Sequence, residues 1–413
     1  MDATPGFNTR ALHSGGGGFA SGATLPPVFQ VSAFAHESME RLEQVFAYRK
    51  PGFVYTRVGN PTVAAFENRV NALEGGAGAV ACSSGMAAVS QLFLNLLSSG
   101  DEVIVSEQLY GGTIQLDAFL SNLGITARAV PRLVPSELCR AVNERTRLVF
   151  GEVIGNPGLD VMDIASASGW CRLHGLPLAV DATMATPYLV RPIELGADFV
   201  VHSSSKYLNG SSNGVSGVIV DAGRFRWRSE RYPALAKFVR FRNLAALARL
   251  RQDTVQSLGG CLAPANAYLN ILGIETLGLR MERICANADA LARALAERHG
   301  LEVNYPTLPG HPSAGLVKRQ FGGRGGGILT LRAGSAERAH RIVDSLRYAA
   351  IASNIGDVRT LVLCPARTLY LHSTAEEMNA AGVFDDTVRV SVGIEDAKDL
   401  IDDFNQAIAA SAA

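Results

Sequence analysis

Beyond about residue 60 the chain alternates between helical periodicity and short unbroken apolar runs. The spacing of apolar residues predicts helices over Thr62–Glu74, Gly85–Leu97, Thr113–Leu123 and Asp163–His174. Between and after them stand the apolar runs Ala77–Cys82, Glu102–Ser106, Leu148–Glu152, Pro177–Asp181 and Phe199–His202. Runs this short and this continuous suit strands buried on both faces, and their alternation with helices places them in a parallel sheet covered on both sides. A long helix is predicted over Ala265–Arg298, followed by the strands and helices of a smaller α+β unit with a glycine-rich turn, Gly322–Gly327, before a strand at Ile328–Arg332. Residues 1–60 are rich in glycine, proline and aromatic residues, with a glycine run from Gly15 to Gly18. They read as an extended arm with one short helix near Met39–Phe46. The expected division is an arm over 1–60, a large unit over 61–262 and a small C-terminal unit over 263–413.

A chain of 413 residues is too long for one ordinary core, which agrees with that division. Its formal net charge is 0, which argues against nucleic acid or an anionic membrane as the main partner. The one basic stretch, Arg224 to Arg242, reads as a solvated or subunit-facing surface. Six scattered cysteines show neither a CxxC pair nor a Cys–His spacing of the zinc type, and the histidines show no ligand spacing, so no metal is expected. Scattered thiols, no signal-like N-terminus and no bilayer-length apolar run point to a reduced, cytoplasmic protein. Lysine occurs only at positions 50, 206, 237, 318 and 398, which shortens the search for a catalytic amine.

In a parallel sheet ligands bind beyond the carboxyl ends of the strands, so the polar residues that follow each apolar run carry the chemistry. Three runs end in polar clusters: Ser83-Ser84-Gly85-Met86, Asp181-Ala182-Thr183 and Ser203-Ser204-Ser205-Lys206. Asp181 and Lys206 are 25 positions apart, enough for one short crossover between neighbouring strands. A carboxylate beside an amine is either a plain salt bridge or part of a pyridoxal 5′-phosphate (PLP) pocket. PLP needs a lysine to carry it, a carboxylate to keep its ring nitrogen protonated, a phosphate cradle of hydroxyls and backbone N–H groups, and a stacking ring. Lys206, Asp181, the helix start at Gly85 and Met86 with Ser203 and Ser205, and Tyr110 supply these parts in a workable order. Taken singly, each has a plainer reading as a cap, a salt bridge or a solvated side chain.

The segments Tyr-Thr-Arg-Val-Gly-Asn-Pro-Thr (55–62), Ser-Ser-Gly-Met-Ala-Ala (83–88), Leu-Tyr-Gly-Gly-Thr (109–113), Gly-Asn-Pro (155–157), Val-Asp-Ala-Thr (180–183) and Ser-Ser-Ser-Lys-Tyr (203–207) stand in one order with Gly-Ile-Glu-Thr-Leu-Gly-Leu-Arg-Met (273–281) and Val-Arg-Val-Ser-Val-Gly-Ile-Glu (388–395). In these segments the chain resembles the Cys/Met-metabolism PLP enzymes: cystathionine γ-synthase, the cystathionine lyases, methionine γ-lyase and O-acetylhomoserine sulfhydrylase. The resemblance implies the PLP-dependent aminotransferase-like fold (fold type I), an α/β fold with a mostly parallel large-domain sheet. It implies Lys206 as the lysine that holds PLP and shuttles protons, Asp181 as the ring-nitrogen partner and Tyr110 as the stacking, catalytic tyrosine. Gly85, Met86, Ser203 and Ser205 would hold the phosphate, with Asn156 and Thr183 also at the cofactor. Tyr55 and Arg57 would reach the phosphate of a neighbouring subunit, so a homodimer would be the active unit, within a homotetramer. Arg389 would grip the substrate carboxylate, and Tyr55 and Asn354 would also face substrate.

Within that family, Gly112 stands where methionine γ-lyases carry cysteine, and Ser353-Asn354-Ile355-Gly356-Asp357 resembles the sulfhydrylase form. The expected reaction is therefore γ-replacement on an activated homoserine ester, with γ-elimination from a γ-substituted amino acid as the alternative and a PLP-free scaffold as the alternative of another class. Two segments depart from the family pattern on the substrate side: Gly210-Ser211-Ser212-Asn213, and Cys364 to Tyr370. A nucleotide site is unsupported, since no Gly-x-x-x-x-Gly-Lys occurs.

Overall fold

The computed structural model describes residues 5–15 and 22–411, so Gly16, Gly17 and Gly18 of the predicted glycine run lie outside the described residues. A seven-stranded sheet is built from β1 (Gly78–Cys82), β2 (Glu102–Ser106), β3 (Thr126–Val130), β4 (Thr146–Glu152), β5 (Leu178–Asp181), β6 (Phe199–His202) and β7 (Gly217–Asp221), in the order β1-β7-β6-β5-β4-β2-β3. The pairs β2–β3, β2–β4, β4–β5 and β5–β6 are parallel, while β7 runs antiparallel to both β1 and β6. The sheet is thus mostly parallel, as expected, with one reversed strand that the apolar pattern did not announce. β5 and β6 are the neighbours that the spacing of Asp181 and Lys206 requires.

The central strands are unbroken apolar runs because helices cover both faces. Leu148, Phe150, Ala179 and Phe199 belong to the core on one side, and Val149, Val180 and Val200 to the core on the other. Phe150 meets Phe93 of the helix Gly85–Leu96 edge-on, with ring centroids 5.1 Å apart. Phe150→Ala would cost about 3–5 kcal/mol through the cavity it leaves. That helix starts where Ser84 turns extended and its hydroxyl accepts the Ala87 N–H at 3.0 Å. The N–H groups of its first residues, Gly85 and Met86, have no intrahelical acceptor.

A second sheet follows: β8 (Val303–Asn304), β9 (Ile328–Arg332), β10 (Ala350–Ile351), β11 (Leu361–Leu363) and β12 (Thr387–Ser391), in the order β10-β11-β12-β9-β8. Its core of Leu329, Leu331, Val388 and Val390 is closed by Leu291 and Leu295 from one helix and Leu400 and Phe404 from another. No helix of the described residues is long and apolar enough to cross a membrane.

The single long helix expected over Ala265–Arg298 is in fact two, Pro264–Glu275 and Leu277–His299, broken at Thr276 (φ −108°, ψ 7°). Neither proline nor a C-terminal glycine marks the break. Across it the buried guanidinium of Arg280 donates to the Gly273 carbonyl at 2.6 Å, near the end of the first helix, and to the Tyr207 carbonyl at 2.7 Å. The break therefore anchors the chain immediately after Lys206.

Candidate active site

The carboxyl ends of β1, β4, β5 and β6 open into a cavity of about 580 Å³, closed on the far side by the second sheet. Gly85, Met86, Tyr110, Asn156, Asp181, Thr183, Ser203, Ser205, Lys206, Asn354 and Arg389 all line it. Only Tyr55 and Arg57 of the expected site residues do not. Their side chains are exposed, the Arg57 guanidinium lies 5.5 Å from the Tyr55 ring centroid, and Arg57 Nη1 donates to the Gln256 carbonyl at 2.8 Å.

At the floor, Asp181 ends β5. Its Oδ1 accepts the Thr183 N–H at 2.8 Å, and Thr183 Oγ1 in turn accepts the Ser203 N–H at 2.8 Å, tying the ends of β5 and β6 together. Burial raises the Asp181 carboxyl above its ordinary range, opposed by its bonds to Thr183 and by the field of His202. Such a carboxylate gains from a cationic N–H placed against it.

Along one wall, Gly85 meets Ser203 so closely that a Cβ at Gly85 would stand 2.5 Å from the Ser203 Cβ. Glycine is required here, and the approach gathers the free N–H groups of Gly85 and Met86 beside the Ser203 hydroxyl. A helix start with free N–H groups and a hydroxyl beside it is an anion site. The Ser205 hydroxyl is more occupied: it donates to the Ser216 carbonyl at 3.0 Å and accepts the Ser216 N–H at 2.7 Å, which locks the Lys206 turn to the start of β7.

The Lys206 amine donates to Oδ1 of Asn354, whose Nδ2 donates to the Ser212 hydroxyl at 2.7 Å. Burial lowers the Lys206 pKa, and the positive field of Arg389 lowers it further, so the amine is released as a base more readily than a solvated lysine. The Arg389 residue is 3% exposed, and among the described residues its guanidinium has only neutral partners: Asn156 Oδ1 at 3.3 Å from Nη1 and the Asn354 carbonyl at 3.1 Å from Nη2. Its Nε is buried with no partner. A buried cation without a counter-ion is costly, and a carboxylate entering the cavity would relieve it.

Several lining residues escaped the sequence reading. Glu152 ends β4 beside Asp181 and accepts the Tyr110 N–H at 2.6 Å. Ending an apolar run, it stood under the same rule that found Asp181. Ser212 adopts a left-handed φ of 53° and buttresses Asn354. Met184 also lines the wall and no pattern along the chain marks it, whereas Thr113 closes the segment 109–113 and Leu369 lies in the departing segment Cys364 to Tyr370. The two departing segments thus meet the cavity through Ser212, Asn213 and Leu369.

An amine, a buried carboxylate on the floor, an anion-binding helix start on the wall and an exposed aromatic edge are what PLP asks of its host, and the cavity accommodates it on all four counts. The comparisons with known proteins agree. Residues 8–409 match the family described as Cys/Met metabolism PLP-dependent enzyme. The chain is 38% identical to an O-acetyl-L-homoserine sulfhydrylase of Corynebacterium glutamicum, covering 98% of this chain and 97% of that one. It is 37% identical to an L-methionine gamma-lyase of Pseudomonas deceptionensis, covering 98% of each. A crystal structure of a putative O-acetylhomoserine (thiol)-lyase of Campylobacter jejuni, carrying N′-pyridoxyl-lysine-5′-monophosphate, is similar in fold with a TM-score of 0.93 at 32% identity, over 97% of this chain and 99% of that one. The cavity's chemistry, the fold and the sequence all lead to the same place: the chain belongs to the Cys/Met metabolism family of PLP-dependent enzymes.

Proposed function

We propose that the enzyme replaces the γ-acyloxy group of O-acetylhomoserine with sulfide or a thiol, giving acetate and homocysteine or a thioether amino acid. The observation that carries this reading is the meeting of Lys206, Asp181 and the carboxylate-hungry Arg389 around one buried cavity. Lys206 would carry the cofactor, Asp181 would serve its ring nitrogen, Tyr110 would stack on its ring, and Asn156 and Thr183 would lie beside it. Gly85, Met86 and Ser203 would take its phosphate, and Ser205 would join them by turning its hydroxyl proton away from the Ser216 carbonyl. When bound, PLP supplies an electron sink for the pair left behind when a proton leaves the substrate's α carbon.

The chain's own groups do the rest. Arg389 pairs with the substrate carboxylate and orients the α carbon toward Lys206. The Lys206 Nζ, its basicity poised by burial and by Arg389, takes the α proton, passes it on, and then takes one from the β carbon as the γ oxygen leaves. Once sulfide or a thiol has bonded at the γ carbon, protons return to the β and α carbons by the reverse route. The Tyr110 hydroxyl, at the cavity wall, serves proton transfer at the γ position. Asn354, braced by Ser212, holds the Lys206 amine between these steps. The Asn354–Asp357 segment and Gly112 favour replacement. The second reading, γ-elimination to a 2-oxo acid and ammonia, is favoured by the likeness to the L-methionine gamma-lyase, whose identity is within a percentage point of the sulfhydrylase's.

Tyr55 and Arg57, outside their own chain's cavity, fit an arm (1–60) that completes the cavity of a second copy, beside the large (61–262) and small (263–413) units. The assembly is then at least a homodimer, extending to a homotetramer, in the cytoplasm. The test supplies purified enzyme with O-acetylhomoserine with and without sulfide. Homocysteine formed only with sulfide supports replacement, whereas 2-oxo acid at equal rate in both samples overturns it. Borohydride should fix the cofactor on Lys206, and Lys206→Ala should abolish both fixation and turnover.

A further inference from the structure

Glu152 and Asp181 are register partners at the ends of the parallel neighbours β4 and β5, so two carboxyls share the floor of one cavity. Asp181 has a role in the function proposed above; Glu152 has none. Among the described residues Glu152 takes part in no ion pair, and the one hydrogen bond of its side chain is the 2.6 Å contact from the Tyr110 N–H. Burial raises its pKa well above the carboxylate range, and the charge of Asp181 raises it further against the opposing bond from Tyr110. Two buried carboxylates side by side do not both ionise readily, and the one without a cationic partner takes the proton.

Tyr110, for its part, is poorly held by its own surroundings. It stands as the residue before the helix Gly111–Asn122, makes no side-chain capping bond, and is followed by two glycines. Its ring is 44% exposed, and the backbone that aims it is held by the bond to Glu152 and by the Thr113 N–H to Tyr110 carbonyl bond at 2.8 Å. The ring lies over Gly112, where a Cβ would come within 2.6 Å of Tyr110 Cε1, so the position of the ring is tied to the path of this turn.

We propose that Glu152 is a positioning residue: as a neutral carboxyl it anchors the Tyr110 backbone N–H and thereby fixes the Tyr110 ring over the cofactor, without adding a second negative charge beside Asp181. The inference rests on the placement of Tyr110 over the cofactor in the function proposed above. It assigns to Glu152 no contact with the reacting atoms.

The test is a double-mutant cycle read as PLP affinity of the apo-protein by absorbance titration, a readout independent of any substrate. Tyr110→Ala should weaken PLP about 2- to 12-fold, the worth of one aromatic stacking contact. Glu152→Ala should weaken it by a similar factor, and the double variant should be no worse than Tyr110→Ala alone, because one residue acts through the other. Glu152→Gln, which keeps a neutral acceptor for the N–H, should recover most of the affinity that Glu152→Ala loses. Multiplying losses in the double variant would overturn the positioning role, as would an unchanged affinity in Glu152→Ala. Glu152→Gln behaving as badly as Glu152→Ala would overturn the neutral state. An unchanged affinity in Tyr110→Ala would place the fault in the assignment of the stacking ring, and the role of Glu152 would fall with it.

Discussion

The Lys206 amine donates a hydrogen bond to the side-chain carbonyl of Asn354, which comes from the loop between β10 and β11 of the second sheet. Arg389 also lies in the second sheet, within β12, and donates to the Asn354 backbone carbonyl. One asparagine thus couples the amine beyond the first sheet to the Arg389 guanidinium on the second. Asn354→Ala removes the first contact and keeps the second. A hydrogen bond to a charged group contributes about 1.5–3 kcal/mol, so kcat/KM should fall roughly 10- to 150-fold with little change in unfolding midpoint. Steady-state kinetics with O-acetylhomoserine and sulfide check this, and a value within twofold of the parent would remove Asn354 from the site's machinery.

Arg389→Lys keeps the charge and loses the planar fork. A lysine at this depth cannot bond Asn156 and the Asn354 carbonyl while also taking both carboxylate oxygens. KM for the amino-acid substrate should rise roughly 30-fold or more, by analogy with truncated buried charge pairs, while kcat changes much less. Equal loss in kcat and none in KM would show that Arg389 acts on the transition state and not as a binding clamp.

Gly85→Ala pushes a methyl group to within 2.5 Å of the Ser203 Cβ and 2.9 Å of its Cα, and backbone cannot swing aside as a flexible side chain can. The helix start and the Ser203 turn must separate, which spreads the anion site. PLP affinity of the apo-protein, measured by absorbance titration, should fall about tenfold or more, the equivalent of losing one charge-assisted hydrogen bond. Unchanged affinity would show that the phosphate sits elsewhere.

Asp198, just before β6, is a partly buried carboxyl and Asp221, at the end of β7, a buried one, both away from the cavity. Burial lifts Asp198 to about 6. Burial lifts Asp221 to about 7, the Gly223 N–H opposing and Asp198 reinforcing the rise. Folded-state values above the unfolded carboxylate value of about 3.9 mean that the folded chain binds more protons between about pH 4 and pH 7. The stability these groups contribute is therefore complete below about pH 4 and lost as pH rises through about 7. Asp221→Asn keeps an acceptor for the Gly223 N–H, held at 2.7 Å, and cannot ionise. Urea unfolding should find the variant more stable than the parent at pH 8, by on the order of 4 kcal/mol, with the gain shrinking to about 1.5 kcal/mol at pH 5. A gain of the same size at both pH values would assign it to something other than the charge.

The strands that carry the site were legible because they are buried on both faces. Ala77–Cys82, Glu102–Ser106 and Phe199–His202 correspond to β1, β2 and β6 within a residue. β3, Thr-Ala-Arg-Ala-Val, was not read, since it is an edge strand with exposed positions and lacks the continuous apolar run. β7 was hidden behind a turn rich in serine and asparagine, and its antiparallel direction follows from pairing between β1 and β6, which no local pattern encodes. The helix break at Thr276 was not read because neither proline nor a C-terminal glycine marks it, and the Arg280 guanidinium that spans it comes from the next helix. Glu152 was readable by the rule that found Asp181, but nothing in its neighbours suggested that two carboxyls would share one floor.

By itself the sequence determined the chemistry available: one lysine among the strand ends, a carboxylate two-dozen positions before it, a glycine that lets a helix start approach a serine turn, and an ordered set of family segments. Those are local properties, set by residue type and short spacing, and they were enough for the family and the cofactor. Only the tertiary structure decided how the groups act on one another. It brought Asn354 and Arg389 from the second sheet against Lys206, set Glu152 beside Asp181, and left Tyr55 and Arg57 outside their own cavity. Basicity, charge state and access depend on burial and on partners more than a hundred residues away, and those are properties of packing, which no stretch of chain carries alone.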